Sequence, residues 1–171
     1  MGFRFNNFDC KLIYNNSNSK LLEAMCKKHN AFFGFRYLDY LLDDMKDIPN
    51  ELLSNLSKFA SPYELHHIVE RLLGYQVDVP DFVLENISKI GVSSYKTCRI
   101  YIENKKIPPD IIIRGMVNTW NDLGKGNFLI FLANKIKEES MINKIKNKIA
   151  EIEKEESVKQ ESFSFKSYFM R

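Results

Sequence analysis

The chain has 171 residues, 44% hydrophobic and 27% charged, with a net charge of +3 at pH 7. That length suits one compact domain with a real core and is too short for two large ones, and the ordinary apolar content gives the composition of a soluble globular protein. No window approaches the roughly 20 apolar residues of a transmembrane helix and the amino terminus lacks a signal-peptide core, so a cytoplasmic location without membrane contact is expected.

Met1-Gly2-Phe3-Arg4-Phe5-Asn6 opens like an acylation site but has Asn where Ser or Thr is required, so no myristoyl group is expected. Three widely spaced cysteines, Cys10, Cys26 and Cys98, fit reduced thiols and not a disulfide framework. The charge is uneven: residues 1–124 carry 15 basic and 15 acidic side chains, and residues 125–171 carry 10 and 7. A surplus that small does not define a nucleic-acid-binding protein.

Residues 3–14 are aromatic and partly alternating, which predicts a short β-hairpin or an extended arm. A polar loop follows, with Ser19 as the N-cap of a helix that carries Leu21, Leu22 and Met25 and runs to about His29. Cys26 and His29 form a Cys-x-x-His pair, but no second half-site follows, so neither metal nor any other cofactor is expected. Phe32, Phe33, Phe35, Tyr37 and Tyr40 make an aromatic cluster that reads as core, with a partly exposed binding patch as the alternative.

The stretch from Ile48 to Lys135 repeats itself. Ile48-Pro49-Asn50-Glu51-Leu52-Leu53 is answered by Val79-Pro80-Asp81-Phe82-Val83-Leu84 and, more loosely, by Ile107-Pro108-Pro109-Asp110-Ile111-Ile112. Offsets of about 31 and 28 residues fall in the range of stacked supersecondary units. Proline fixes φ near its helical value and lacks the N–H that a helix start would orphan, so each opening predicts a new helix, at Pro49, Pro80 and Pro108. Leu52, Leu53, Leu56 and Phe59, then Val83, Leu84, Ile87 and Ile90, supply apolar faces. Ala60-Ser61-Pro62 and Gly91-Val92-Ser93-Ser94 read as turns into second helices at 63–73 and 95–103. Arg36 to Leu42 precedes His67 to Leu73 by the same 31 residues, and Ile102-Glu103-Asn104-Lys105 matches Leu132-Ala133-Asn134-Lys135. Four helix pairs are expected, at about 19–45, 48–75, 79–105 and 108–138.

These apolar-Pro-acidic openings, with second helices rich in Tyr, Ile and Leu, resemble the short tandem α-helical repeats of bacteriophage and bacterial proteins, and more distantly HEAT and armadillo solenoids. The resemblance covers residues 33–138 and implies a mainly α, stacked-helix fold with no particular activity. The Asn-, Lys- and Ile-rich composition points to an AT-rich genome, such as that of a phage or a low-GC bacterium.

His66, His67 and Glu70 are the most chemical-looking group, with His66 and Glu70 sharing a helix face; one imidazole and one carboxylate are too few for a closed metal site. Acid–base work by them is the third-ranked reading, and no enzyme is expected. Gly124-Lys125-Gly126 lacks the glycine frame and following Ser or Thr of a phosphate loop, so glycine there is expected to end a helix. Past residue 138 lies a separate region, 139–171. Ile142, Ile145, Ile149 and Ile152 form a narrow stripe over two heptads of a long carboxyl-terminal helix, coiled-coil-like, which requires a partner: the end of the solenoid, a second copy of the chain or another protein. An aromatic tail follows, with Phe163, Phe165, Tyr168 and Phe169, which either folds back to pair as a strand with the amino-terminal aromatic segment or anchors a partner.

The expected role is a nonenzymatic protein–protein interaction module, in concrete form a phage-encoded modulator or inhibitor of a host protein complex. The isoleucine stripe and aromatic tail are its expected contacts, the stripe also serving a homodimer. The alternative is a nucleic-acid-binding accessory protein using Lys105, Lys106, Lys135, Lys137, Lys144, Lys146 and Lys148 against phosphates.

Overall fold

The computed structural model describes the backbone of residues 7–16, 18–27 and 31–169, with side chains other than those of 7–9, 15–16, 122–123 and 160–169. Among the described residues the protein is mainly α, with ten helices and no strand. In order these are α1 (Asn7–Asn16), α2 (Ser19–Lys27), α3 (Phe32–Asp43), α4 (Asn50–Phe59) and α5 (His66–Gly74), then α6 (Asp81–Ser88), α7 (Gly91–Glu103), α8 (Asp110–Val117), α9 (Asp122–Lys135) and α10 (Glu139–Phe169).

The proline-led helices share one local design. Pro49 and Pro109 are N-caps in extended conformation, at φ −63°, ψ 129° and φ −60°, ψ 146°. In each case the proline carbonyl accepts from the amides three and four residues on: Leu52 and Leu53 for Pro49, Val83 and Leu84 for Pro80, Ile112 and Ile113 for Pro109. The helix thus begins one residue after the proline, and Pro109, not the expected Pro108, holds the register of Pro49 and Pro80. Glu51, Asp81 and Asp110 place a negative charge against the positive helix end. The same three positions are buried each time: Leu52, Leu53, Leu56; Val83, Leu84, Ile87; Ile112, Ile113, Met116.

The second helices end alike. In α3 the Lys46 amide donates to the Leu41 carbonyl and the Met45 amide to Leu42; Val77 to Leu72 with Gln76 to Leu73, and Lys106 to Tyr101 with Lys105 to Ile102, repeat the pattern. These are Schellman exits, in which one left-handed residue turns the chain out of the helix and satisfies the last carbonyls. The left-handed residues are Met45 (φ 50°), Gln76 (φ 60°) and Lys105 (φ 56°), none of them glycine. Each stands four residues before its proline, so Met45–Pro49, Gln76–Pro80 and Lys105–Pro109 are one junction made three times. The end of α9 departs: Lys135 stays helical and Ile136 caps in extended conformation, although its sequence matches that of Lys105.

Three expectations give way to the structure. Over residues 7–16 the hairpin or arm is replaced by α1, which packs on α3; Cys10 is buried and Tyr14, one turn on, lies under Lys46. Residues 1–6 lie outside the described residues. Gly91 to Ser94 is the first turn of α7 and not a loop: any Cβ on Gly91 would sit 1.8 Å from Thr119 Oγ1, so this glycine serves close approach. Gly124 and Gly126 lie inside α9, whose N-cap Asn121 accepts from the Gly124 amide at 2.9 Å. They end no helix.

The chain divides into two compact units, Met1–Ile87 and Ser88–Arg171, whereas the sequence reading separates 1–138 from 139–171. In the first unit α2 packs on α3 and α4, and α3 on α1, α4 and α5. In the second, α8 packs on α7 and on α10. The isoleucine stripe finds its partner there: Ile145, Ile149 and Ile152 are buried, and Ile142 is half-buried. Gly115 allows the approach of α8 to Ser88, whose carbonyl oxygen lies 2.3 Å from the place a Cβ would occupy.

Candidate functional site

The groove between α3 and α5 gathers the richest set of side chains in the first unit. The turn ahead of α5 is closed by Glu64, whose Oε2 accepts from Ser61 Oγ at 2.6 Å and from the Ser61 amide at 3.3 Å. One helical turn further, the two histidines separate. His66 is 9% exposed and turned inward, while His67 is half-exposed, with Nδ1 2.7 Å from Glu70 Oε2. The pairing with Glu70 therefore belongs to His67 at i,i+3 and not to His66 at i,i+4, because the buried side of α5 is set by Ile68, Val69, Leu72 and Leu73 and takes His66 with it.

Arg71 crosses to α3. Its Nε lies 2.5 Å from Asp39 Oδ1 and its guanidinium carbon 4.9 Å from the centre of the Phe35 ring, so one cation is held by a carboxylate and an aromatic face. Tyr75 donates to Asp43 from the same pair of helices. On α3 itself, Phe32 is 49% exposed, and the Arg36 guanidinium lies over its ring at 5.6 Å. Phe32, Phe35, Arg36, Asp39, Glu64, His67 and Arg71 line a concavity of about 320 Å³. That is the small end of the range in which proteins hold ligands or partner side chains.

The aromatic cluster is thus divided: Phe35, Tyr37 and Tyr40 are buried, Phe33 half-buried and Phe32 exposed. Cys26 is fully buried, with Sγ 2.6 Å from any Cβ added to Gly34, and burial pushes its thiol up to about 12, which makes it a packing group. Its expected neighbour His29 lies outside the described residues. Burial likewise raises the Cys98 thiol. Among the described residues no three His, Cys, Asp or Glu side chains are grouped to hold a metal.

Of the expected contact residues, Ile145, Ile149 and Ile152 are buried inside the second unit and Ile142 is half-buried. The side chains of Phe163, Phe165, Tyr168 and Phe169 lie outside the described residues, although α10 runs through Phe169. Among the lysines, Lys105, Lys106, Lys135, Lys137, Lys144 and Lys146 are exposed, while Lys148 is bonded to Asp110. Sequence reasoning missed Arg36, Asp39 and Arg71. The i,i+4 spacing of Phe32 and Arg36 was available as a signal; the Asp39–Arg71 pair, made between helices, was not. No protein-family model, curated protein or solved structure matches this chain.

Proposed function

We propose that the chain is a nonenzymatic protein-binding module, a small α-solenoid whose repeated helix pairs present a surface to another protein. The observation that carries this reading is the junction made three times, with the same buried triad after each proline. A chain that reuses one supersecondary unit builds extended surface without needing reactive groups. The α3–α5 groove is the part of that surface proposed to receive the partner, and the aromatic end of α10 is a second contact. The AT-rich composition favours a phage-like source and hence a host protein as partner.

Affinity capture from host lysate, with and without nuclease, tests the reading. A stoichiometric protein retained after nuclease treatment is the expected result. Loss of every partner on nuclease treatment would instead favour the nucleic-acid reading through Lys105, Lys106, Lys135, Lys137, Lys144 and Lys146, with affinity falling steeply in salt. Changing Phe163, Phe165 and Phe169 to Ser should weaken capture; unchanged capture would remove the tail from the account.

A further inference from the structure

We propose that the α3–α5 groove seats an acidic side chain of the partner protein, Asp or Glu, carried beside an apolar residue, with Arg36 as the group that receives the carboxylate. The proposal rests on the protein-binding reading and names the chemistry of its partner.

The groove holds one inter-helix ion pair, Arg71 with Asp39 at 2.5 Å; Glu70 meets the His67 imidazole at 2.7 Å, and Glu64 accepts from Ser61 in the turn before α5. Arg36 has none of these. Among the described residues its neighbour is the face of Phe32, at 5.6 Å, and its side chain is exposed. A guanidinium over a ring keeps its in-plane donors, which match the two oxygens of a carboxylate. Phe32, half-exposed, and Phe35 supply apolar surface for the neighbouring residue. A concavity of about 320 Å³ accommodates one or two side chains and not a larger body.

The surroundings also decide between anions and against cations. Asp39, Glu64 and Glu70 stand on the walls and rim, so a singly charged carboxylate meets about half the repulsion of a dianionic phosphate, while its two oxygens suffice for the Arg36 fork. Both rings that could receive a foreign cation are already covered, Phe32 by Arg36 and Phe35 by Arg71. One guanidinium with no carboxylate partner among the described residues, beside the part of Phe32 that stays exposed, selects a singly charged, partly apolar ligand.

The test is an immobilised array of heptapeptides probed with the full chain, in matched sets carrying Asp, Glu, Asn, Gln or phosphoserine beside Leu or Phe. Selected peptides are then titrated by fluorescence anisotropy against wild type, Arg36→Gln and Arg36→Lys. Acidic peptides should bind about tenfold better than their amide partners, Arg36→Gln should abolish that preference, and Arg36→Lys should restore part of it. A phosphoserine preference, or an Asp and Glu preference that survives Arg36→Gln, would overturn the proposal. Peptides bound equally with acid or amide would sink the carboxylate seat and leave the protein-binding module standing. Absence of any bound peptide together with no protein captured after nuclease would remove both.

Discussion

Two hollows of similar size, one in each unit, use their charges in opposite ways. The second-unit hollow, of about 390 Å³, is lined by Trp120, Lys125, Glu153, Glu156 and Ser157 among others. Lys125 Nζ is held by both oxygens of Glu153 at 2.7 and 2.8 Å, and Glu156 is shared between Arg114 at 2.5 Å and Lys159 at 3.0 Å. Arg114 also takes Glu155, and Lys148 takes Asp110, so these pairs tie α10 to α8 and α9 alongside the buried isoleucines. In the first-unit groove the inter-helix pair Arg71–Asp39 does that work and Arg36 is left over. The same side-chain types bridge helices in one hollow and, on the proposed reading, leave one cation for recognition in the other.

The largest break in this comparison comes from the apolar seam under the second hollow. Ile149→Ala should destabilise the second unit by about 3 kcal/mol, seen as a lower urea midpoint, while acidic-peptide binding in the first unit persists at temperatures where both units stay folded. Gly115→Ala should cost about 2 kcal/mol by thermal melt, because the added Cβ meets the Ser88 backbone carbonyl and neither helix can yield cheaply. Gly126→Ala, with nothing within 4 Å, should stabilise by about 0.5–1 kcal/mol through helix propensity alone.

A smaller effect lies at the repeated junction. Gln76→Gly should stabilise by up to about 1 kcal/mol, since it relieves a left-handed residue that carries a Cβ, and Met45→Gly should add to it; denaturant titration reads both. The charged seam sharpens the contrast by pH. The Lys159 ammonium and then the Arg114 guanidinium hold the Glu156 carboxyl below its usual range, so its contribution is present above its unfolded value of 4.5 and is lost as pH falls through the lowered folded value. The melting difference between wild type and Glu156→Gln should therefore shrink on acidification below about pH 4.5 and with added salt. Smallest of all, Arg36→Gln should leave stability within about 0.5 kcal/mol of wild type, as suits an exposed cation with no carboxylate partner.

The mainly helical class was legible because helix faces and proline openings are local properties: Leu52, Leu53 and Leu56 show their spacing without knowing what covers them. What was not legible depended on residues distant in sequence. Gly91 looks like a turn glycine until Thr119, 28 residues on, is seen against it. Which of His66 and His67 faces outward is settled by the packing of α5. The isoleucine stripe announced that it needed a partner, but only the fold shows that α8 lies against α10 and that Ile145, Ile149 and Ile152 are buried there. Pro108 and Pro109 are indistinguishable by rule; the carbonyl bonded to Ile112 and Ile113 identifies Pro109 as the cap. Arg36 went unmarked because its significance is relational: among the described residues it meets the Phe32 ring and no carboxylate, while Arg71 on the facing helix is held by Asp39.

Quantitative capture from nuclease-treated lysate, comparing wild type with Arg36→Gln at equal thermal stability, bears most directly on the central claim that this repeat-built surface binds a protein through the α3–α5 groove. The account expects one stoichiometric protein on wild type, reduced about tenfold on Arg36→Gln. Equal recovery of that protein by both forms, or its release by nuclease, would contradict it.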